Sequence, residues 1–278
     1  MGITIDDINA LRKKTGVGLM DCKKALVETD GDQEKAIEIL RKRNVKIAMS
    51  RSDKEANEGM TLATISKDHD FGAIICLSSE TDFVSHCEQF QNFARKLSAL
   101  VLDKRPHSVD DIKNLTFDDG ISVNDAFLDL IGQVKENVAI TNYLYLQGGC
   151  IVEYNHPGNQ LAVILSISSS ICHDEKLYQL GHEISMQIAA MSPLYVNRDR
   201  VPKDVYDKEM DIARSQVINA KSPEIAEKIA LGKMDKFFQE TVLLEQLSIK
   251  DNKTKVSDYI KSQISDAQII DFHRLSIK

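Results

Sequence analysis

Phe90, Phe93, Ala94, Leu97 and Val101 form an apolar stripe that recurs, 87 residues further on, as Leu177, Leu180, Gly181, Ile184 and Ile188. Residues spaced three and four apart line one face of an α-helix, and a helix with one apolar face must lay it against other apolar surface. Extended runs precede each stripe. Residues 60–66 and 71–78, joined by the turn-forming Lys67-Asp-His-Asp70, come before the first. Residues 143–146, 150–152 and 161–167 come before the second, with His156-Pro-Gly-Asn159 as the tight turn ahead of the last run. A repeated hairpin-plus-helix unit points to an α+β chain with two related core subdomains.

The flanks are helical. Residues 1–45 read as three short helices. Thr4 with Asp7 makes a capping box, Ile5, Ile8 and Leu11 form the first apolar stripe, and Gly16 supplies the stop. The second helix carries Met20, Ala25, Leu26 and Val27 and ends at Thr29-Asp30-Gly31; the third starts from Asp32 and carries Ala36, Ile37 and Leu40. So small a bundle has a thin core and suits a surface offered to a partner. Residues 41–58 are polar and basic at their start, which fits a solvated linker, an exposed helix or a strip for nucleic acid. Residues 202–216 and 223–244 predict an antiparallel helical hairpin broken at Asn219-Ala-Lys-Ser-Pro223. One amphipathic helix from Val256 and an extended stretch at 269–277 close the chain. The expected units are 1–50 (three-helix domain), 51–137 (first core subdomain) and 138–278 (second, with the hairpin at about 202–244).

Composition excludes several function classes. With 35 Lys+Arg against 42 Asp+Glu the formal charge is −7, unfavourable for a protein whose main task is gripping phosphate backbones, so direct nucleic-acid binding is not expected. The five cysteines include no CxxC pair, which fits free thiols in a reducing compartment better than a disulfide framework or a zinc ribbon. The acidic N-terminus has no signal-like apolar core, Asp6 breaks the myristoylation pattern after Gly2, and no apolar run nears the ~20 residues that span a bilayer. A cytoplasmic chain without a membrane partner is the expectation. The seven histidines form no HxH or HxxxH pair, and GxGxxG, GxxxxGK[ST] and GxSxG are absent. No metal, no cofactor and no catalytic residue is expected, so the chain does not read as an enzyme.

Glu80-Thr-Asp-Phe-Val84, between the second strand of the first unit and its helix, remains. One reading is a helix start, with Thr81 or Asp82 as N-cap and Phe83 tucked under as a staple. The other is insertion into a partner, the ring filling an apolar slot while the carboxylate perturbs a local electrostatic site. At the offset of 87 the second copy carries Ser168-Ser-Ser-Ile171, so the repeat does not demand the acidic–aromatic pair.

The run Leu11-Arg-Lys-Lys-Thr-Gly-Val-Gly-Leu-Met-Asp-Cys-Lys-Lys-Ala-Leu26 resembles the N-terminal signature of the elongation factor Ts family. Thr81-Asp-Phe-Val84 resembles its second signature, and Pro223-Glu-Ile-Ala-Glu-Lys-Ile-Ala-Leu-Gly-Lys-Met-Asp-Lys-Phe-Phe238 its helical hairpin. The resemblance runs in order from about Ile5 to Arg274. It implies a ubiquitin-associated-like domain at 1–50, two core subdomains and an inserted hairpin. It also implies a guanine nucleotide exchange factor that acts on elongation factor Tu, GDP-bound and nucleotide-free, and has no active site of its own.

Carried over by position, Thr81, Asp82, Phe83 and Val84 would disturb the partner's magnesium and phosphate site. Val134 and His156 would line the core contact. Thr15, Gly16, Met20, Lys23 and Lys24 would serve the docking of the small domain, with Met20 equally readable as core. The alternative is a non-exchanging translation accessory protein that binds elongation factor Tu or RNA. Two departures stand out. Glu80 adds a negative charge beside the loop, where a neutral amide is usual. The tail, Phe272-His-Arg-Leu-Ser-Ile-Lys278, stops short of the family's longer ending, which puts any contact made by a longer C-terminal module in doubt.

Overall fold

The computed structural model describes residues 3–172, 174–217 and 222–277; Gly2, His173, Lys278 and residues 219–221 of the helix break expected at 219–223 lie outside them. Three helices open the chain: α1 (Ile5–Thr15), α2 (Leu19–Glu28) and α3 (Gln33–Arg51). Thr4 caps α1 through a reciprocal box with Asp7, and Gly16 ends it at φ +66°, a left-handed conformation that glycine adopts without steric cost. Ile8, Leu11, Val17, Cys22, Ala25, Leu26, Ala36 and Leu40 make the bundle core. Ile5, Met20 and Val27 are not in it. Ile5 is the first residue of α1, one turn ahead of Ile8, where burial begins.

The basic stretch after Leu40 is mostly helix, since α3 continues to Arg51. Half of the six cations at 41–58 are paired with carboxylates: Lys42 with Glu38, Arg43 with Glu28 and Arg51 with Glu80. Each pairing lowers the charge the stretch could offer to a phosphate backbone.

Two three-stranded antiparallel sheets follow. The first has the order β1 (Glu58–Ile65), β2 (Phe71–Ser79), β3 (Ala139–Gln147). Between β2 and β3 the chain runs through α4 (Asp82–His86), α5 (Glu88–Lys104), α6 (Val109–Asn114) and α7 (Val123–Val134). The second has the order β4 (Cys150–Asn155), β5 (Leu161–Ser168), β6 (Gln268–Ser276). Here α8 (Glu175–Met191), α9 (Lys203–Ser215), α10 (Pro223–Thr241) and α11 (Val256–Gln263) intervene. The repeat extends to a register shift near the end of each central strand, at Cys76/Leu77 and Ser166/Ile167. β3 follows the division expected at 137/138 and lies in sequence beside β4, yet it pairs with β2 in the first sheet, and the chain passes to the second sheet at Gly148 and Gly149.

Strand alternation builds three cores. Phe71, Ala73, Ile75 and Leu77 face α5 and α7, meeting Phe90, Phe93, Leu97, Val101 and Phe127. Val163, Leu165 and Ile167 face α8 and α11, meeting Leu177, Leu180, Ile184 and Ile188. The opposite faces meet each other: Ala63, Ile74, Leu146, Ile151, Ala162 and Ile164 fill the space between the sheets. Both central strands are therefore covered on both sides, which explains their unbroken apolar runs. The pair α9–α10 is antiparallel and has its own core of Met210, Ala213, Ala230, Met234 and Phe238, with Arg214 bound to Glu227 near the tip and Tyr206 stacked on Phe238 nearer the base.

The bundle is docked on α7. Ile47 and Ala48 cover the first core. Asn44, 3% exposed, donates its amide to Asp129 at 3.1 Å across the junction. Gly132 permits this approach, because a Cβ there would lie 2.0 Å from Asn44 Oδ1. Burial raises the pKa of Asp129 above its ordinary value, so the folded state holds that proton more tightly than the unfolded chain. Ionisation of Asp129 is thus a cost at neutral pH that disappears as pH falls through the folded pKa. Asp129→Asn keeps an oxygen for Asn44 and is expected to be more stable than the parent to urea at pH 7. The gain should shrink toward zero below about pH 4; a variant less stable at pH 7 would contradict this.

Candidate partner interface

β2 ends at Ser79 and the ladder with β3 stops at Ser78↔Ala139, yet the two chains stay joined beyond it. The Thr81 N–H donates to Glu136 Oε2 (3.0 Å) and its hydroxyl to Oε1 (2.7 Å). In the other direction the Asn137 N–H donates to Glu80 Oε1 at 2.7 Å, and Arg51 Nη1 donates to Glu80 Oε2 at 3.1 Å. Two carboxylates thus exchange places with two backbone amides, a charge-assisted clasp where ladder bonds end. Glu80 is therefore not an additional free charge beside the loop. Its side chain is 15% exposed and bound to a guanidinium and an amide.

From this base rises α4, a single helical turn. Thr81 is its extended N-cap residue, but its hydroxyl serves Glu136 rather than the helix. Val84 and Ser85 turn inward; Ser85 Oγ donates to Asp82 O at 2.8 Å. Successive side chains on a helix point about 100° apart. With Val84 taking the inward position, Phe83 beside it faces solvent and is 83% exposed, not stapled. Burying a phenylalanine is worth about 1.5–3 kcal/mol, and the fold leaves that unused here. Asp82 and His86 are exposed on the same turn.

The second copy serves as an internal control. Its helix α8 starts 87 residues after α5, but β5 starts 90 residues after β2, so its connecting loop is shorter. That loop has a similar clasp: Asp266 accepts from Ser170 N (2.7 Å) and Ser169 Oγ (3.0 Å), contacts that pull the Asp266 carboxyl down to about 2. Clasping the loop base is common to both units. The turn bearing Asp82 and Phe83 belongs to the first alone.

The other expected residues lie on separate elements. Val134, the last residue of α7, is half-buried against the first core, two residues from Glu136. His156 is exposed on the β4–β5 turn with Nδ1 3.0 Å from Tyr154 Oη; Asn159 in that turn accepts from Thr61 N of β1. On the bundle, Thr15 O accepts from Gln133 Nε2 at 2.9 Å, and a Cβ at Gly16 would sit 2.6 Å from that nitrogen. These two hold the bundle to α7. Met20, 61% exposed, shares the open surface of α2 with Lys23, Lys24 and the 40% exposed Leu19. Arg51, Glu136 and Asn137 were not legible in the sequence as parts of this site, having neither motif nor periodicity. Among the described residues, no group of three His, Cys, Asp or Glu is placed to hold a metal ion, and no helix is long and apolar enough to cross a membrane.

A family described as "Elongation factor TS" matches residues 80–278. Proteins named "Elongation factor Ts" are similar along nearly the whole length. That of Amoebophilus asiaticus is 39% identical over 278 residues, 100% of this chain and 99% of the relative. That of Porphyromonas gingivalis is 37% identical over 279 residues, with the same shares. The protein of Chlorobium luteolum is 40% identical over 261 residues, 92% of this chain and 90% of its own.

Proposed function

The chain belongs to the elongation factor Ts family, and from that premise we propose that it serves translation by driving GDP off elongation factor Tu so that GTP can take its place. The observation that carries this reading is Phe83, an almost fully exposed ring on a turn whose base is clasped and which the second copy of the unit lacks. In this reading the ubiquitin-associated-like bundle anchors the partner through Met20, Lys23 and Lys24. Val134 and His156 flank the core contact, and the Asp82–Phe83 turn enters the magnesium and phosphate region.

An exchange factor makes and breaks no covalent bond. It binds the nucleotide-free partner more tightly than the GDP form, and by linkage GDP weakens the factor by the same ratio. Accelerating release ~10⁴-fold takes about 5.5 kcal/mol of barrier reduction. A nanomolar complex supplies about 12 kcal/mol in all, so nearly half must be differential. Contacts of the bundle are the same with and without nucleotide and contribute uniform binding. The differential part falls to the turn: the ring displaces structure around the phosphates, and the Asp82 carboxylate competes with them for the cation.

Stopped-flow mixing with elongation factor Tu loaded with fluorescent GDP is the test. Release that speeds up with factor concentration to a plateau is expected. A complex that forms while release stays at its intrinsic rate would replace this reading with that of a non-exchanging accessory protein.

A further inference from the structure

The clasp ties the exposed turn to more than its own sheet. Glu80 receives Asn137 N–H and the guanidinium of Arg51, the last residue of α3, while Asn137 Nδ2 donates to Lys54 O (3.0 Å) just beyond that helix. Glu136, one residue away, receives both donors of Thr81. On the other side of Glu136, Lys135 lies 3.6 Å from Asp21 of α2, and Gln133 donates to Thr15 O at the end of α1. Residues 133–137 therefore bond to the loop base and to the bundle at once. We propose that Glu136 and Glu80 are positioning residues that set the Asp82–Phe83 turn at a fixed place relative to the exposed face of α2, so that docking of the bundle delivers the ring already oriented.

The physical gain is preorganisation. A turn that wandered when free would have to be ordered on binding, and immobilising side chains and backbone at an interface costs conformational entropy that weakens the productive complex. Two donors from one residue to one carboxylate remove that freedom in advance. A ring held out of line with its slot loses its contacts there while the bundle still docks, so the clasp acts on the step at the nucleotide site more than on encounter. The similar Asp266 clasp in the second unit shows that this geometry holds a loop base without Asp82 or Phe83 being present. In the first unit the held loop carries them.

This inference rests on the turn being the active element, so Phe83→Ala is measured alongside. Glu136→Ala, Thr81→Val and the double variant are compared in two readouts on the full chain. In the free protein, hydrogen exchange at residues 81–86 should lose protection by at least tenfold in Glu136→Ala, with the thermal midpoint little changed. In fluorescent-GDP release, the maximal rate should fall five- to tenfold while the half-saturating concentration stays within about twofold. The double variant should be no worse than the poorer single one, as for two groups acting through each other. Glu136→Gln, which keeps one accepting oxygen, should recover part of the rate.

Unchanged protection, multiplied effects in the double variant, or a defect confined to half-saturation would overturn the positioning role. If Phe83→Ala slows release and Glu136→Ala does not, positioning alone falls. If neither does, the reading of the turn falls and positioning falls with it.

Discussion

Phe83→Ala is expected to slow release of fluorescent GDP from elongation factor Tu at least tenfold at saturating factor, with the half-saturating concentration moved by no more than about twofold. A ring that fills an apolar slot is worth about 1.5–3 kcal/mol, and each 1.4 kcal/mol is a factor of ten in rate, which places the loss between about tenfold and a little over a hundredfold. A fall in maximal rate at constant half-saturation is the signature of an interaction made in the transition state and absent from the docked ground state. Because Phe83 is 83% exposed, its removal takes little from the fold, and the urea midpoint should not move. Unaltered release kinetics would refute the division between a turn that acts and a bundle that anchors.

The complementary result is expected from the bundle. Met20→Asp together with Lys23→Glu should raise the half-saturating concentration about thirtyfold while the plateau rate stays near that of the parent, since a central apolar anchor is typically worth 2 kcal/mol or more. Both side chains are exposed, so the helix itself is not compromised. This pair is a cleaner probe than removing residues 1–50. Such a truncation would strip Ile47 and Ala48 from the first core and leave the Glu80–Arg51 pair on a severed helix end. A lowered plateau at unchanged half-saturation would show that the face of α2 acts on the nucleotide step and not as an anchor.

The repeat was legible in the sequence because burial on one helix face is periodic. All ten stripe positions from Phe90 to Val101 and Leu177 to Ile188 are buried. Thr4–Asp7 and Gly16 were legible because capping is local chemistry, written within a few residues. The partnership of β3 with β2 was not, since pairing across the 59 residues between Ser79 and Ala139 leaves no local pattern, and β3 is nearer in sequence to β4. Phe83 was visible as an oddity, but its direction was not. Whether it staples or projects depends on Val84 taking the inward place, and that is decided by the core it meets. The clasp escaped altogether, because Glu80 and Glu136 are ordinary charged residues until the fold sets Glu80 against the Asn137 amide and Glu136 against the Thr81 amide. Met20 shows the opposite case: its motif marked it, and its surroundings decided between core and surface.

The most direct measurement places a photoreactive benzoylphenylalanine at position 83 and irradiates the complex with nucleotide-free elongation factor Tu. Mass spectrometry then locates the adduct. The expected adduct lies among the residues that hold the magnesium ion and phosphates of the bound nucleotide, and its yield drops when GDP and magnesium are restored. An adduct on a distant surface of the partner, or one whose yield ignores nucleotide, would contradict a turn that works by entering that site.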